Sequence, residues 1–264
     1  MTVWKALNLV ENNRHIHTIA LNRIERRNAI DHTLANELVD CISIEAQKKE
    51  LRVLVLTGEG SSFCSGGDLK DRIAFGPGEA RRQRDTVLRA IDSLDRFPCP
   101  VIAMINGPAL AGGLELALAC DIRVAADDAV FGLPEVRTAG GFPGAGGPVR
   151  LSKLIGRGKT ALISFTGRQF SARQAYDMGM VDMIVPAARL RAEAYALAAE
   201  IAANSPAGIR AAKQLIRQSL DMDVTSATDL SRALRNPLDD SPDFHEAMNA
   251  WREKRVPIFM DLQK

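Results

Sequence analysis

Apolar and polar positions alternate in short runs through the first half of the chain and settle into longer helical periods toward its end. Leu7 to Val10 and Ile16 to Leu21 read as strands, the second setting His15 and His17 against Ile16 and Thr18. Leu34, Leu38 and Ile42 stand at helical spacing, and Val53-Leu-Val-Leu56, closed by Thr57-Gly58, is a short unbroken apolar run of the kind that forms a buried strand. From Glu79 to Arg96 the pattern puts Val87, Ile91 and Leu94 on one helix face, until Pro98 and Pro100 end it. Val101 to Ile105 is a second buried strand. Asn106-Gly107-Pro108 then turns the chain toward a helix starting near Gly112, and Asp121 to Ala126 reads as a further strand. From Ala187 onward the periodicity is helical. Leu190, Ala194, Leu197 and Ile201 share one face, Ser205-Pro206 opens the next helix, and short helices near Ser226 to Leu234 and Pro242 to Trp251 follow. Strand–helix units followed by a helical tail predict an α/β core with a helical appendage suited to subunit contacts.

With 264 residues, the chain is long enough for one large domain, or a main domain with a smaller appendage, around a sizeable core. Its 34 basic and 32 acidic residues leave a formal charge of +2, so there is no global attraction to nucleic acid or to an anionic membrane. Cys41, Cys64, Cys99 and Cys120 are scattered, without a Cys-x-x-Cys or a paired histidine, and predict neither a disulfide framework nor a zinc site. No apolar stretch reaches the ~20 residues of a membrane span, and Met1 to Leu7 lacks a signal-peptide pattern. A reducing, cytoplasmic setting is expected.

Three glycine-rich segments each follow a strand: Ser61 to Lys70, Gly107 to Glu115, and Gly140 to Gly147. Glycine allows close approach of main chain to a ligand. Gly112-Gly113 sits where a helix begins, so free N–H groups and the helix dipole face outward there. The Ser65-Gly66-Gly67 turn can offer another amide. Two amides converging on one point form an oxyanion hole, worth about 3–4 kcal/mol per donor. Either glycine pair alone reads more readily as a tight turn supporting a sheet.

The ordered set of motifs resembles the crotonase (enoyl-CoA hydratase/isomerase) superfamily. The matches are Leu21-Asn22-Arg23 with Arg27-Asn28-Ala29, Phe63-Cys-Ser-Gly-Gly-Asp-Leu-Lys70, Pro100-Val-Ile-Ala with Asn106-Gly107-Pro108-Ala109, and Gly112 through Asp121. Phe131-Gly-Leu-Pro-Glu135, Pro143-Gly-Ala-Gly-Gly147, Thr166-Gly167-Arg168 and Glu253-Lys254-Arg255 follow in the family's order. The resemblance implies an α/β fold, a spiral of repeated ββα units over residues 1–195, with a helical region for trimerisation over 196–264. It implies oxyanion donors at Gly67 and Gly112 and catalytic glutamates at Glu115 and Glu135. Gly67, Asp68, Leu69, Lys70, Arg27 and Ala29 are the expected contacts to an acyl-CoA thioester. No cofactor or metal is expected beyond the coenzyme A carried by the substrate, and no nucleic acid or membrane partner. A homotrimer, or a hexamer built from two, is the expected assembly.

Taken locally, Glu115 reads equally well as a helix N3 carboxylate bonding back to free amides, and Glu135 reads more readily as a surface partner of Arg137. The resemblance turns both toward syn addition of water to a 2-enoyl-CoA, with Glu115 acting on the water and Glu135 donating to C2. The rivals are a 2,3-enoyl-CoA isomerase working through Glu135, a CoA-ester hydrolase or lyase, and a non-catalytic RNA-binding member. The basic run Arg81, Arg82, Arg84 and Arg89 reads first as a solvated helix face, then as a contact for CoA phosphates or RNA. Three departures from the family's pattern stand out. Ala111 replaces a common third glycine, a change expected to be absorbed. Gly147-Pro148 replaces Gly-Thr, and one extra residue between Glu135 and Pro143 is expected to widen or re-aim the acyl pocket.

Overall fold

The computed structural model describes residues 3–74 and 77–261, so the outermost ends of the expected 1–195 and 196–264 ranges, and Met1-Thr2 of the segment read for a signal peptide, lie outside it. Nine strands and twelve α-helices follow one another among these residues. The first half runs β1 (Leu7–Asn13), β2 (Ile16–Leu21), α1 (His32–Glu45), β3 (Val53–Gly58), α2 (Leu69–Ala74), α3 (Pro77–Asp95), β4 (Val101–Ile105), β5 (Ala109–Leu110) and α4 (Gly112–Ala119). Then come β6 (Ile122–Ala126), β7 (Val130–Gly132), α5 (Glu135–Thr138), α6 (Gly147–Ile155), α7 (Arg157–Thr166), β8 (Phe170–Ser171), α8 (Ala172–Met178) and β9 (Met183–Val185). The helical end comprises α9 (Leu190–Ala202), α10 (Pro206–Ser219), α11 (Val224–Arg235) and α12 (Pro242–Glu253).

The large sheet has the order β1-β2-β3-β4-β6-β9, antiparallel at β1–β2 and parallel elsewhere. A parallel sheet is covered on both faces, which accounts for the unbroken burial of β3 and β4. It also corrects the alternation read for β2. All six of its residues are buried, and the His17 ring is inside, bonded to Glu45 of α1. A second, smaller sheet of order β5-β7-β8 rides beyond the first. Each of its first two strands is the short second strand of a unit: β4, β5, α4 and β6, β7, α5. This matches the expected ββα rhythm.

Local chemistry starts the helices where the pattern placed them. Asp31 accepts the Leu34 N–H at 2.8 Å and begins α1, which turns Leu34, Leu38, Cys41 and Ile42 into the core, a cap worth about 1 kcal/mol. Ser205 accepts from Gly208 at 2.9 Å and, with Pro206 behind it, begins α10.

The helical end is continuous with the core. α9 runs straight through the expected 195/196 boundary and packs on β2, β3, β4 and β6. Lys213 of α10 reaches Asp121 at 2.6 Å and the Cys99 carbonyl at 2.9 Å. Arg52 donates to the carbonyls of Ala202, at 2.9 Å, and Phe259, at 2.8 Å. No helix among the described residues is long and apolar enough to cross a membrane. All four cysteines are buried thiols.

Candidate active site

The Ser61–Asp68 loop is held between two short parallel bridges, Ile30↔Gly67 and Cys64↔Ala109. Around the first, Ile30 donates to the Gly66 carbonyl at 2.8 Å and accepts from Asp68 at 3.0 Å. This ladder passes on either side of Gly67 and leaves the Gly67 N–H outside it. Around the second, Leu110 donates to the Cys64 carbonyl at 2.9 Å, which presses the loop against the start of α4. The approach is so close that a β-carbon on Gly113 would lie 2.2 Å from the Cys64 carbonyl oxygen. Gly113 therefore has no room for a side chain.

Gly112 is the first residue of α4, and the opening N–H groups of a helix have no partner within it. A β-carbon built on Gly112 would stand 4.0 Å from the Gly67 nitrogen, and one on Gly66 would stand 3.4 Å from the Gly112 nitrogen. The two expected donors are thus neighbours on one small shelf, with the positive end of the α4 dipole behind them.

Ala111 turns the chain into this shelf at φ 52° and ψ −128°, while its N–H is pinned to the Gly132 carbonyl at 2.9 Å. A side chain makes that backbone conformation costly, on the order of 1–3 kcal/mol. The glycine-to-alanine departure is therefore not absorbed without cost, because the surrounding bonds hold the turn against it.

Glu115 lies one turn into α4 and is only 3% exposed. Its Oε1 does not turn back on its own helix as the N3 reading had it. It accepts from the Ala145 N–H at 2.9 Å and the Gly147 N–H at 2.8 Å, in the third glycine-rich segment. These two holders escaped the sequence reading, although the glycine run 140–147 was their visible trace. Pro148 falls in the first turn of α6, where a missing N–H leaves no helical bond unmade. Replacing Gly-Thr by Gly-Pro therefore leaves the Gly147 donor in place.

Glu135 opens α5, half-buried, three residues beyond Gly132. The parallel pairing of β5 with β7 matches Leu110 to Gly132, which brings the Glu135 segment alongside the Ala111–Gly112 turn. The extra residue before Pro143 is taken up in a bulge. Gly140 adopts φ 61°, Ala139 and Gly141 both donate to the Glu135 carbonyl, and Phe142 stands 74% exposed. Ala145 and Gly147 still reach Glu115 despite it.

The remaining expected contact residues divide. Leu69 and Lys70 are exposed on α2, and Arg27 is exposed in a left-handed turn at φ 51°. Ala29 is buried, its carbonyl accepting from Arg23. Asp68 faces inward instead: Oδ2 accepts from Arg23 at 3.2 Å, and Oδ1 from the Lys70 N–H at 3.1 Å. Its carboxylate braces the loop. In the basic run, Arg82 pairs with Glu79 at 3.7 Å, Arg89 donates to Thr86, and Arg84 lies against Gly144. No group of three or more His, Cys, Asp or Glu residues suited to a metal ion occurs among the described residues.

Comparison with known proteins identifies the family. The enoyl-CoA hydratase/isomerase family model matches residues 11–263. YngF of Bacillus subtilis is 39% identical over 95% of this chain and 96% of its own length. The enoyl-CoA isomerase/hydratase fer4 of Mycosarcoma maydis is 36% identical over 92% of each chain. The crystal structure of an enoyl-CoA hydratase from Bacillus anthracis superposes with a TM-score of 0.94, at 35% identity, covering 97% of this chain and 99% of the other. The chain belongs to the enoyl-CoA hydratase/isomerase family.

Proposed function

We propose that this enzyme adds water across the C2–C3 double bond of a 2-enoyl-CoA thioester, or removes it in reverse. The observation that carries the reading is the shared shelf of the Gly67 and Gly112 amides at the head of the helix that also carries Glu115. A 2-enoyl thioester is electrophilic at C3. When water oxygen bonds to C3, the π electrons shift and negative charge collects on the thioester oxygen. The two amides stabilise that charge, with a loss of about 3–4 kcal/mol for each donor removed. Glu115, fixed by Ala145 and Gly147, takes the proton from the attacking water. Glu135 gives a proton to C2, and the double bond is replaced by C–OH and C–H. Positioned acid–base groups of this kind contribute roughly 10²–10⁴-fold each. Action of both glutamates from one side makes the addition syn.

Residues around the shelf bind the coenzyme A arm, with the main chain of Gly67 to Lys70 along the thioester and Arg27 and Ala29 beside it. Crotonyl-CoA incubated in oxygen-18 water tests the reaction. Label at C3 together with loss of the conjugated absorbance is expected. Retained absorbance without label, or migration of the double bond in a 3-enoyl-CoA alone, contradicts hydration and favours the isomerase.

The assembly is proposed to be a trimer, or a hexamer of two, through the helical end. Ile216, Leu220, Val224, Met248 and Trp251 all stand exposed there, Trp251 by 80%. Large apolar side chains exposed together on one part of a surface mark contact sites. Sedimentation of a stable monomer at micromolar concentration contradicts the assembly.

A further inference from the structure

The main chain that holds Glu115 is itself held, and from a different helix. Pro143-Gly-Ala-Gly-Gly147 is poor in side chains, so its path is set largely through its main chain. Arg150, in the first turns of α6, donates through Nη1 to the Ala145 carbonyl at 3.2 Å and through Nη2 to Asp92 Oδ1 of α3 at 3.1 Å. Ala145 is thereby gripped from both sides: its carbonyl by the guanidinium, its amide on Glu115 Oε1 at 2.9 Å. The guanidinium lies close against bare backbone. A β-carbon on Gly146, which has φ 94°, would fall 2.3 Å from Arg150 Nη1.

We propose that Arg150, steadied by Asp92, is a positioning residue that keeps the Ala145 and Gly147 amides on Glu115 and so sets how well that carboxylate takes the proton from water. The proposal rests on the hydratase reading of Glu115. The energy of the Asp92–Arg150 bridge is not what matters, since Asp92 is 43% exposed and such bridges stabilise little. What matters is shape. A planar guanidinium serves two acceptors at fixed angles, whereas a lysine ammonium on its flexible stem does not hold that geometry. Small displacements of a catalytic group cost up to 10²-fold in rate.

The test measures kcat and KM for hydration in Arg150→Met, Arg150→Lys, Asp92→Asn, Glu115→Gln and the Glu115→Gln/Arg150→Met double variant. It adds hydrogen exchange of the peptide spanning residues 143–151. Arg150→Met is expected to lower kcat about tenfold with KM within about twofold, and Arg150→Lys to recover part of the loss. Asp92→Asn is expected to lower kcat about threefold, and the Ala145 and Gly147 amides to exchange roughly tenfold faster in Arg150→Met. The double variant should be no slower than Glu115→Gln. Unchanged kcat and unchanged exchange in Arg150→Met overturn the proposal, as does an equal fractional loss with and without Glu115. Should Arg150→Met fail to fold, Arg150→Lys and Asp92→Asn decide on the same criteria. Should Glu115→Gln be too slow to assay in the double variant, exchange decides. Full hydration by Glu115→Gln alone overturns the reading of Glu115 itself, an outcome separate from the Arg150 result.

Discussion

Two glutamates among the described residues, Glu45 and Glu115, are almost fully buried, and their surroundings differ in kind. Glu45, on α1, places Oε2 2.6 Å from His17 Nδ1 and Oε1 2.9 Å from Lys48 Nζ. Glu115, on α4, places Oε1 against two main-chain N–H groups. Burial pushes the Glu45 carboxyl up, but its hydrogen bonds to His17 and Lys48 and the lysine charge outweigh burial and hold it below its ordinary value. Glu45 is thus fixed in one protonation state and ties α1 to β2. Glu115 is fixed in position by a loop whose own placement depends on α3 and α6, beside an anion-binding shelf. A general base must be placed within reach of the proton it takes, and two main-chain donors give Glu115 that fixed placement. On the proposed reading, the first carboxylate maintains the fold and the second serves the reaction.

The largest expected difference is in rate. Glu135→Gln should abolish turnover while CoA-ester affinity persists, and Glu115→Gln should lower kcat for hydration by roughly 10²–10⁴-fold with little change in melting temperature. Steady-state kinetics beside thermal melts check both. Glu45→Ala should do the opposite. It leaves His17 and Lys48 without their shared partner and should cost about 3–5 kcal/mol of stability, with the activity of folded enzyme unchanged. Equal catalytic losses at both positions would break the distinction.

The same pair separates with pH. Because the folded-state pKa of Glu45 is lowered from 4.5, its contribution is fully present above that value and is lost as pH falls through the lower folded value. Urea melts of wild type and Glu45→Ala should therefore converge in acid and stand furthest apart near neutrality. A constant gap across that range would show that the cluster acts through packing alone.

A smaller effect tests the shelf. Ala111→Gly removes the strain at φ 52° and should raise stability by about 1 kcal/mol, near 2–4 °C in Tm, after the greater flexibility of glycine in the unfolded chain is offset. The smallest effect concerns thiols. Burial, reinforced by Glu45, pushes Cys41 up to about 12, and burial alone pushes Cys64 up to about 12. Neither should react with a thiol reagent in the native enzyme. Glu45→Ala should speed labelling of Cys41 by local opening and leave Cys64, beneath the shelf, unchanged.

How much of this was legible in the chain depends on the length of each element and on whether its partner is local. α1, α10 and α12 carry several turns of apolar periodicity and their own cap residues, and α3 carries the longest such period, so their sequence pattern stands out. β5, β7 and β8 are two or three residues long and exist only because each meets the other, and nothing in so short a run carries a period. The shelf was legible because glycine marks main chain that approaches main chain. The holders of Glu115 were not, because an amide has no side chain to advertise its direction, and Ala145 lies 30 residues from the carboxylate it holds. The pairing of His17 with Glu45 was hidden for a related reason. β2 alternates in sequence as though one face met water, but both its faces are covered by elements distant along the chain.

The central claim is that the Gly67 and Gly112 amides bind the thioester oxygen as it gains charge. A crystal structure with acetoacetyl-CoA, a stable β-carbonyl thioester, tests it most directly. The thioester oxygen is expected about 3 Å from both nitrogens, with C3 facing Glu115 and Glu135. A well-ordered ligand whose thioester oxygen meets neither amide contradicts the account.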